Sequence, residues 1–143
     1  MKISLGYPPR MAEKIILSGG SRRREIYDIK PIFTLEQIDS IRTEIDKGVK
    51  ASDMVIDYIL DIAEATRKSR FLRAGLSTRA TLFMMRLGKA NAYFNGRDYV
   101  IPEDVKELCT NIITHRVLFN DDFPSRDRDA LIRTLVDEVN MPA

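Results

Sequence analysis

Apolar residues recur every three to four positions along most of the chain, and that spacing predicts six helices. Met11, Ile15 and Ile16 mark one side of a short helix that Pro9 opens and Gly19 and Gly20 end. Leu35, Ile38, Ile41 and Ile45 form the stripe of a second, headed by a Thr34–Gln37 capping box and stopped by Gly48. A third begins at a Ser52 cap and carries Val55, Ile59, Ile62 and Thr66 inward. After Ser77 comes a longer helix whose expected inner face is Phe83, Leu87, Ala90 and Phe94, with Asn95-Gly96 as its end. Pro102 opens a fifth, with Val105, Leu108, Cys109 and Ile112 inward. The sixth runs from near Ser125 and carries Leu131, Ile132, Leu135 and Val139.

Between these helices the pattern is sparse. Ile3, Leu5 and Tyr7 alternate with Lys2, Ser4 and Gly6 in a short, weakly strand-like opening, which Pro8 and Pro9 halt. "GVKAS" and "RDYVI" precede helices and put Val49 and Val100 where they can dock in a core. Residues 19–33 have no clear period and read as an irregular connection. No repeat, low-complexity tract or linker divides the chain. The expected architecture is an all-α bundle of about six helices with a short extended N-terminal segment. Residues 1–9 form that segment and 10–143 one helical domain.

Composition narrows the chemistry more than the fold. The 143 residues carry a net charge of only +2, so the chain lacks the basic footprint that dominates nucleic-acid binding. The lone Cys109 excludes an internal disulfide and a cysteine-rich zinc site. The lone His115 excludes a histidine metal cluster, so no metal site is expected. No apolar run reaches transmembrane length, and no signal-peptide core opens the chain; a reducing cytoplasm is the expected compartment. No phosphate loop of the GxxxxGK[ST] type, GxSxG elbow or HExxH motif occurs. "LSGGSRRR" follows a helix rather than a strand, which is the wrong context for a phosphate loop. The chain alone is not expected to be an enzyme.

"GLSTRA", residues 75–80, stands apart. Gly75 releases one helix, Ser77 starts the next, and Arg79 falls in the first turn, where the helix dipole disfavours a cation. Either Arg79 pairs with a neighbouring acid on the surface, or it is held for an anion from outside the chain.

Four pieces in order carry a family resemblance: "KISLGYPPR", "DYILDIAEATR", "GLSTRATLFMMRLGKANAYFNGRDYVIPEDVKELC" and "HRV". Together they resemble the C-terminal helical lid of MoxR-type ATPases, AAA+ proteins near the magnesium chelatase subunits. The likeness covers nearly the whole chain and is weak over residues 19–33. It implies a preceding core domain in the same polypeptide that carries the Walker motifs and holds ATP and Mg2+. It also implies a homo-oligomeric ring, ATP-driven remodelling of a client, and a von Willebrand A-type domain as that client. An arginine at the start of a lid helix in such proteins, the sensor 2 arginine, reaches the γ-phosphate, and the matching position here is Arg79. Two departures stand out. Ile101 lies where a capping threonine is common, and Leu76 where a smaller residue is frequent.

The same resemblance gives other residues two readings each. Tyr7 and Pro8 lie where such chains pass from core to lid, so Tyr7 either lines the adenine pocket or packs at a hinge. Arg10 either reaches the nucleotide or is a solvated first-turn residue. Arg67 either faces a neighbouring subunit or favours its own helix C-terminus. His115 and Arg116, the "HR" pair, serve an interface or cap and pack the helix end. Arg97 and Asp98 are expected to tie their turn, Asp104 to suit a helix dipole, and Cys109 to be buried and inert. Arg22, Arg23 and Arg24, near Glu25 and Asp28, read as a solvated loop ahead of a nucleic-acid contact. The rival to the lid reading is a free-standing helical module that binds protein or DNA. A magnesium-chelatase-type lid is a nearer rival with the same fold.

Overall fold

Short polar side chains open the long helices. The computed structural model describes residues 1–19 and 27–142. Along them lie α1 (Arg10–Gly19), α2 (Leu35–Gly48), α3 (Asp53–Lys68), β1 (Leu72–Ala74), α4 (Thr78–Phe94), α5 (Pro102–Lys106), α6 (Cys109–Ile113), β2 (Leu118–Phe119) and α7 (Arg128–Asp137). Thr34 Oγ1 accepts the Gln37 amide at 3.2 Å while Gln37 Oε1 accepts the Thr34 amide at 2.8 Å, the full capping box at the head of α2. Ser52 and Ser77 cap α3 and α4 through the amides of Val55 and Ala80. The Arg22–Arg24 run, with Gly20 and Glu25, lies outside the described residues.

The core forms where α3 meets α4, α5 and α7. On α3, Val55, Tyr58, Ile59, Ile62, Ala63 and Thr66 are buried, which includes the whole predicted stripe. Each large aliphatic side chain removed from water this way contributes about 1.5–3 kcal/mol. From α7 come Ile132 and Val136, flanked by the half-buried Leu131, Leu135 and Val139. Val49 and Val100 dock as expected: the Lys50 amide donates to the Asp98 carbonyl at 2.8 Å, and the Val100 amide to the Lys50 carbonyl at 2.9 Å. By contrast, α1 buries no residue, and Met11, Ile15 and Ile16 remain exposed. Residues 1–9 form no strand and are exposed throughout, although the Lys2 amide donates to the Asn111 carbonyl at 2.8 Å.

The inner face of α4 is rotated from the one its large side chains predict. Ala80, Thr81, Met84, Gly88 and Ala92 are buried; Phe83, Leu87 and Ala90 are half-exposed, and Phe94 is 80% exposed. Size decides this. A Cβ on Gly88 would lie 3.3 Å from Val105 Cγ2 and 3.4 Å from Val100 Cγ1, so α4 approaches its neighbours along its small-residue edge. Phe83 instead supports the Arg116 guanidinium, 4.2 Å from the ring centroid.

The fifth predicted helix is two, which makes seven among the described residues. The Leu108 amide bonds the Val105 carbonyl three residues back, a tightened turn, before Ile112 resumes the helical spacing to Leu108. This leaves Val105, Cys109, Ile112 and Ile113 all buried. A further difference is the two-stranded antiparallel ribbon, with Leu72 opposite Phe119 and Ala74 opposite Leu118. Strands of three and two residues are too short to show a period of two in the sequence.

"GRDYVIPEDVK" folds around a buried carboxylate. Arg97 grips Asp104 with both Nη atoms, at 2.7 and 2.6 Å, and the Ile101 amide donates to Asp104 Oδ2 at 3.0 Å. Ile101 brings no capping side chain, yet its amide is satisfied by this returning half of a capping box. Burial alone would raise the Asp104 pKa. The Arg97 guanidinium and the Ile101 amide outweigh it and hold the carboxyl below its usual range.

Cys109 is 1% exposed, and burial pushes its thiol up to about 12. The native protein is therefore expected to resist alkylation at pH 8, where an ordinary thiol reacts, and to become fully labelled in denaturant. Thiol titration with and without denaturant checks this.

Candidate functional site

The site is the turn that carries "GLSTRA" from β1 into α4. Its glycine is required by contact rather than by an unusual φ. A Cβ on Gly75 would fall 2.5 Å from the Arg67 backbone nitrogen and 2.6 Å from its Cα, so the strand end lies directly on the last turn of α3. Gly75→Ala is expected to destabilise the fold by about 1–3 kcal/mol, because backbone must move to admit the methyl group. Denaturant midpoints measure this, and an unchanged midpoint would contradict the contact.

The next residue is held on every side. The Leu76 side chain is 1% exposed and anchors in the core. Its amide donates to Thr66 Oγ1 at 3.0 Å, and its carbonyl accepts Arg67 Nε at 2.9 Å. Thr66 Oγ1 also donates to the Ala63 carbonyl at 2.7 Å, which fixes the hydroxyl. Two adjacent residues at the end of α3 thus clamp both backbone polar groups of one residue, in the two successive peptide units that lead into α4. The larger Leu76, a departure from the resemblance, is the anchor of this turn.

Ser77 then adopts φ −78°, ψ 160° and caps the helix with its hydroxyl on the Ala80 amide, 3.3 Å away. Thr78 and Arg79 are the first two helical residues, both exposed, and the first turn contains no acid. Among the described residues, no hydrogen bond or ion pair occupies the Arg79 guanidinium. An unpaired cation beside the free amides of a helix start makes a place suited to an anion. Next to it runs a shallow apolar slot between α3 and α4, lined by Ile56, Leu60, Thr78, Leu82 and Met85.

The other candidate residues lie elsewhere. Tyr7, Pro8 and Arg10 are exposed on the N-terminal segment and the start of α1, with Tyr7 at 99% exposure. His115 is exposed past the end of α6. Partial burial, together with the positive charge of the terminal amine, Arg116 and Lys2, lowers its pKa. Arg116 is half-buried against Phe83. Only Arg67 joins Arg79 at the same turn. The role of Thr66 escapes sequence reasoning, its one signal being a hydroxyl on an otherwise apolar stripe. Gly75 does not release a helix as expected, since α3 already ends at Lys68, and serves close contact instead. Among the described residues, no cluster of His, Cys, Asp or Glu has the geometry of a metal site. No helix there is long and apolar enough to cross a membrane.

Comparison with known proteins gives a consistent answer. The model of the AAA lid domain matches residues 64–135, a span that includes both the turn and the Asp104 motif. The chain is 28% identical over 143 residues to protein YeaC of Bacillus subtilis (strain 168), covering 99% of this chain and 44% of that protein. It is 28% identical to chaperone MoxR1 of Mycobacterium tuberculosis, over 85% of this chain and 34% of that one. Protein MoxR of Paracoccus denitrificans is 26% identical, with 74% of this chain and 35% of that protein covered. A crystal structure of a protein assigned as an ATPase from Cytophaga hutchinsonii superposes with a TM-score of 0.77 at 31% identity, over 100% of this chain and 46% of that one. The chain spans less than half the length of these relatives. With the lid model matched across its central helices and its fold repeated in the Cytophaga hutchinsonii structure, the chain belongs to the AAA lid domain family and is similar to proteins named MoxR.

Proposed function

We propose that this lid couples ATP binding and hydrolysis to movement in a MoxR-type ATPase, with Arg79 as the sensor 2 residue. The observation that carries the reading is a guanidinium that is exposed and unpaired among the described residues, on a turn whose backbone is fixed by Thr66, Arg67 and Gly75. The nucleotide and its Mg2+ are held by a core domain of the same polypeptide, and Arg79 approaches the γ-phosphate from the lid. A charge-assisted bond there stabilises the charge that spreads over the transferring phosphoryl group. A bond of about 1.5–3 kcal/mol to a charged partner shifts a closed-to-open ratio about tenfold to a hundredfold. Loss of the γ-phosphate then releases the lid.

In this reading residues 1–9 connect core to lid and 10–143 form the lid domain. Tyr7, Pro8 and Arg10 face the nucleotide side of the junction, while Arg67, His115 and Arg116 lie toward a neighbouring subunit in a homo-oligomeric ring. The ring works in the cytoplasm as a chaperone-like remodeller, with a von Willebrand A-type domain as its client. The test is ATP turnover by the full polypeptide with Arg79 intact and replaced. Turnover indifferent to the replacement would remove the sensor role.

A further inference from the structure

The geometry points to Arg67 as a positioning residue that sets the aim of Arg79, an assignment that rests on the sensor reading of Arg79 and goes beyond it. Arg67 is exposed, so its side chain is not needed to fill the core. Its Nε spends its hydrogen on the Leu76 carbonyl, 2.9 Å away and nine residues along the chain. That carbonyl belongs to the peptide unit joining Leu76 to the Ser77 cap, two residues before Arg79. The direction in which α4 leaves the turn depends on the orientation of this peptide, and the position of Arg79 depends on that direction.

The two halves of the clamp differ in kind. Thr66 is 1% exposed and satisfies the buried Leu76 amide, so its hydroxyl is required for the fold. The carbonyl held by Arg67 is covered, Leu76 being 1% exposed, but the group that holds it is an exposed side chain, so its loss admits water to the carbonyl. Losing Arg67 therefore leaves the domain folded and gives the peptide freedom to tilt. The cost falls on the precision of Arg79, because displacement of a charged group by a fraction of an ångström weakens a transition-state contact more than it weakens a fold.

The experiment is a double-mutant cycle in the full ATPase with ATP as substrate, using Arg67→Met, Arg67→Lys, Arg79→Ala and the Arg67→Met/Arg79→Ala pair. Methionine keeps the apolar stem without a donor, and lysine restores a donor within reach of the carbonyl. Arg67→Met is expected to lower turnover at saturating ATP by about threefold to thirtyfold, the range of couplings carried through an intervening residue. ADP affinity and the melting temperature of the lid should stay unchanged, and Arg67→Lys should recover most of the loss. In the Arg79→Ala background, Arg67→Met should have no further effect. An equal loss in both backgrounds, failure of lysine to recover activity, or no loss at all would overturn the positioning role. If Arg79→Ala itself leaves turnover intact, the sensor reading fails first, a result distinct from failure of the positioning role alone.

Discussion

On the proposed sensor role, Arg79→Ala in the full polypeptide is expected to slow ATP turnover by about a hundredfold or more, the effect of removing one preorganised charged donor from a transition state. The lid itself should fold unchanged, because Arg79 is exposed and holds nothing together among the described residues. Arg79→Lys should recover only part of the activity. An ammonium retains the charge but loses the planar fork that meets two phosphate oxygens at once. Steady-state turnover, with circular dichroism as the control for folding, separates this from general damage. The substitution also tests the geometry of the turn, since a cation in the first turn of α4 works against its own helix dipole until an anion arrives.

Asp104→Asn is expected to be the most destabilising of the substitutions considered, at about 2–4 kcal/mol. It removes the charge that Arg97 grips twice and weakens the acceptor of the Ile101 amide, inside a site where the carboxylate side chain is 3% exposed. The loss falls short of a fully buried pair because the Arg97 side chain retains 22% exposure and finds water. The pH dependence has a definite sign. A carboxyl whose folded pKa lies below its unfolded value contributes stability at pH above about 4, and that contribution disappears as pH falls through the folded pKa. The gap between wild type and Asp104→Asn should therefore be full at pH 7 and narrow steadily in acid. Urea denaturation across that range measures it, and a gap independent of pH would argue against an ionised Asp104.

Much of this fold was legible in the sequence, because periodicity and capping chemistry are local. Thr34, Ser52 and Ser77 stand where their hydroxyls meet free amides, and the stripe on α3 is buried as spaced. The face of α4 was not legible from its large residues. Gly88 allows close approach, and only its partners Val100 and Val105, which lie beyond the end of α4, make that approach favourable. The ribbon of β1 and β2 depends on a pairing between residues nearly fifty apart, which no local pattern contains. At the site, the motif placed the Ser77 cap and put Arg79 in the first turn of α4. The clamp of Thr66 and Arg67 on Leu76 remained hidden, since neither spacing nor residue type announces that the end of α3 doubles back onto the turn.

The decisive measurement is nucleotide affinity rather than rate: ATP and ADP binding to the full protein, under conditions that block hydrolysis, with Arg79 present or replaced by alanine. If this guanidinium meets the terminal phosphate, the replacement weakens ATP binding about tenfold or more and leaves ADP binding as it was. Equal weakening of both nucleotides, or of neither, would mean that Arg79 does not sense the γ-phosphate.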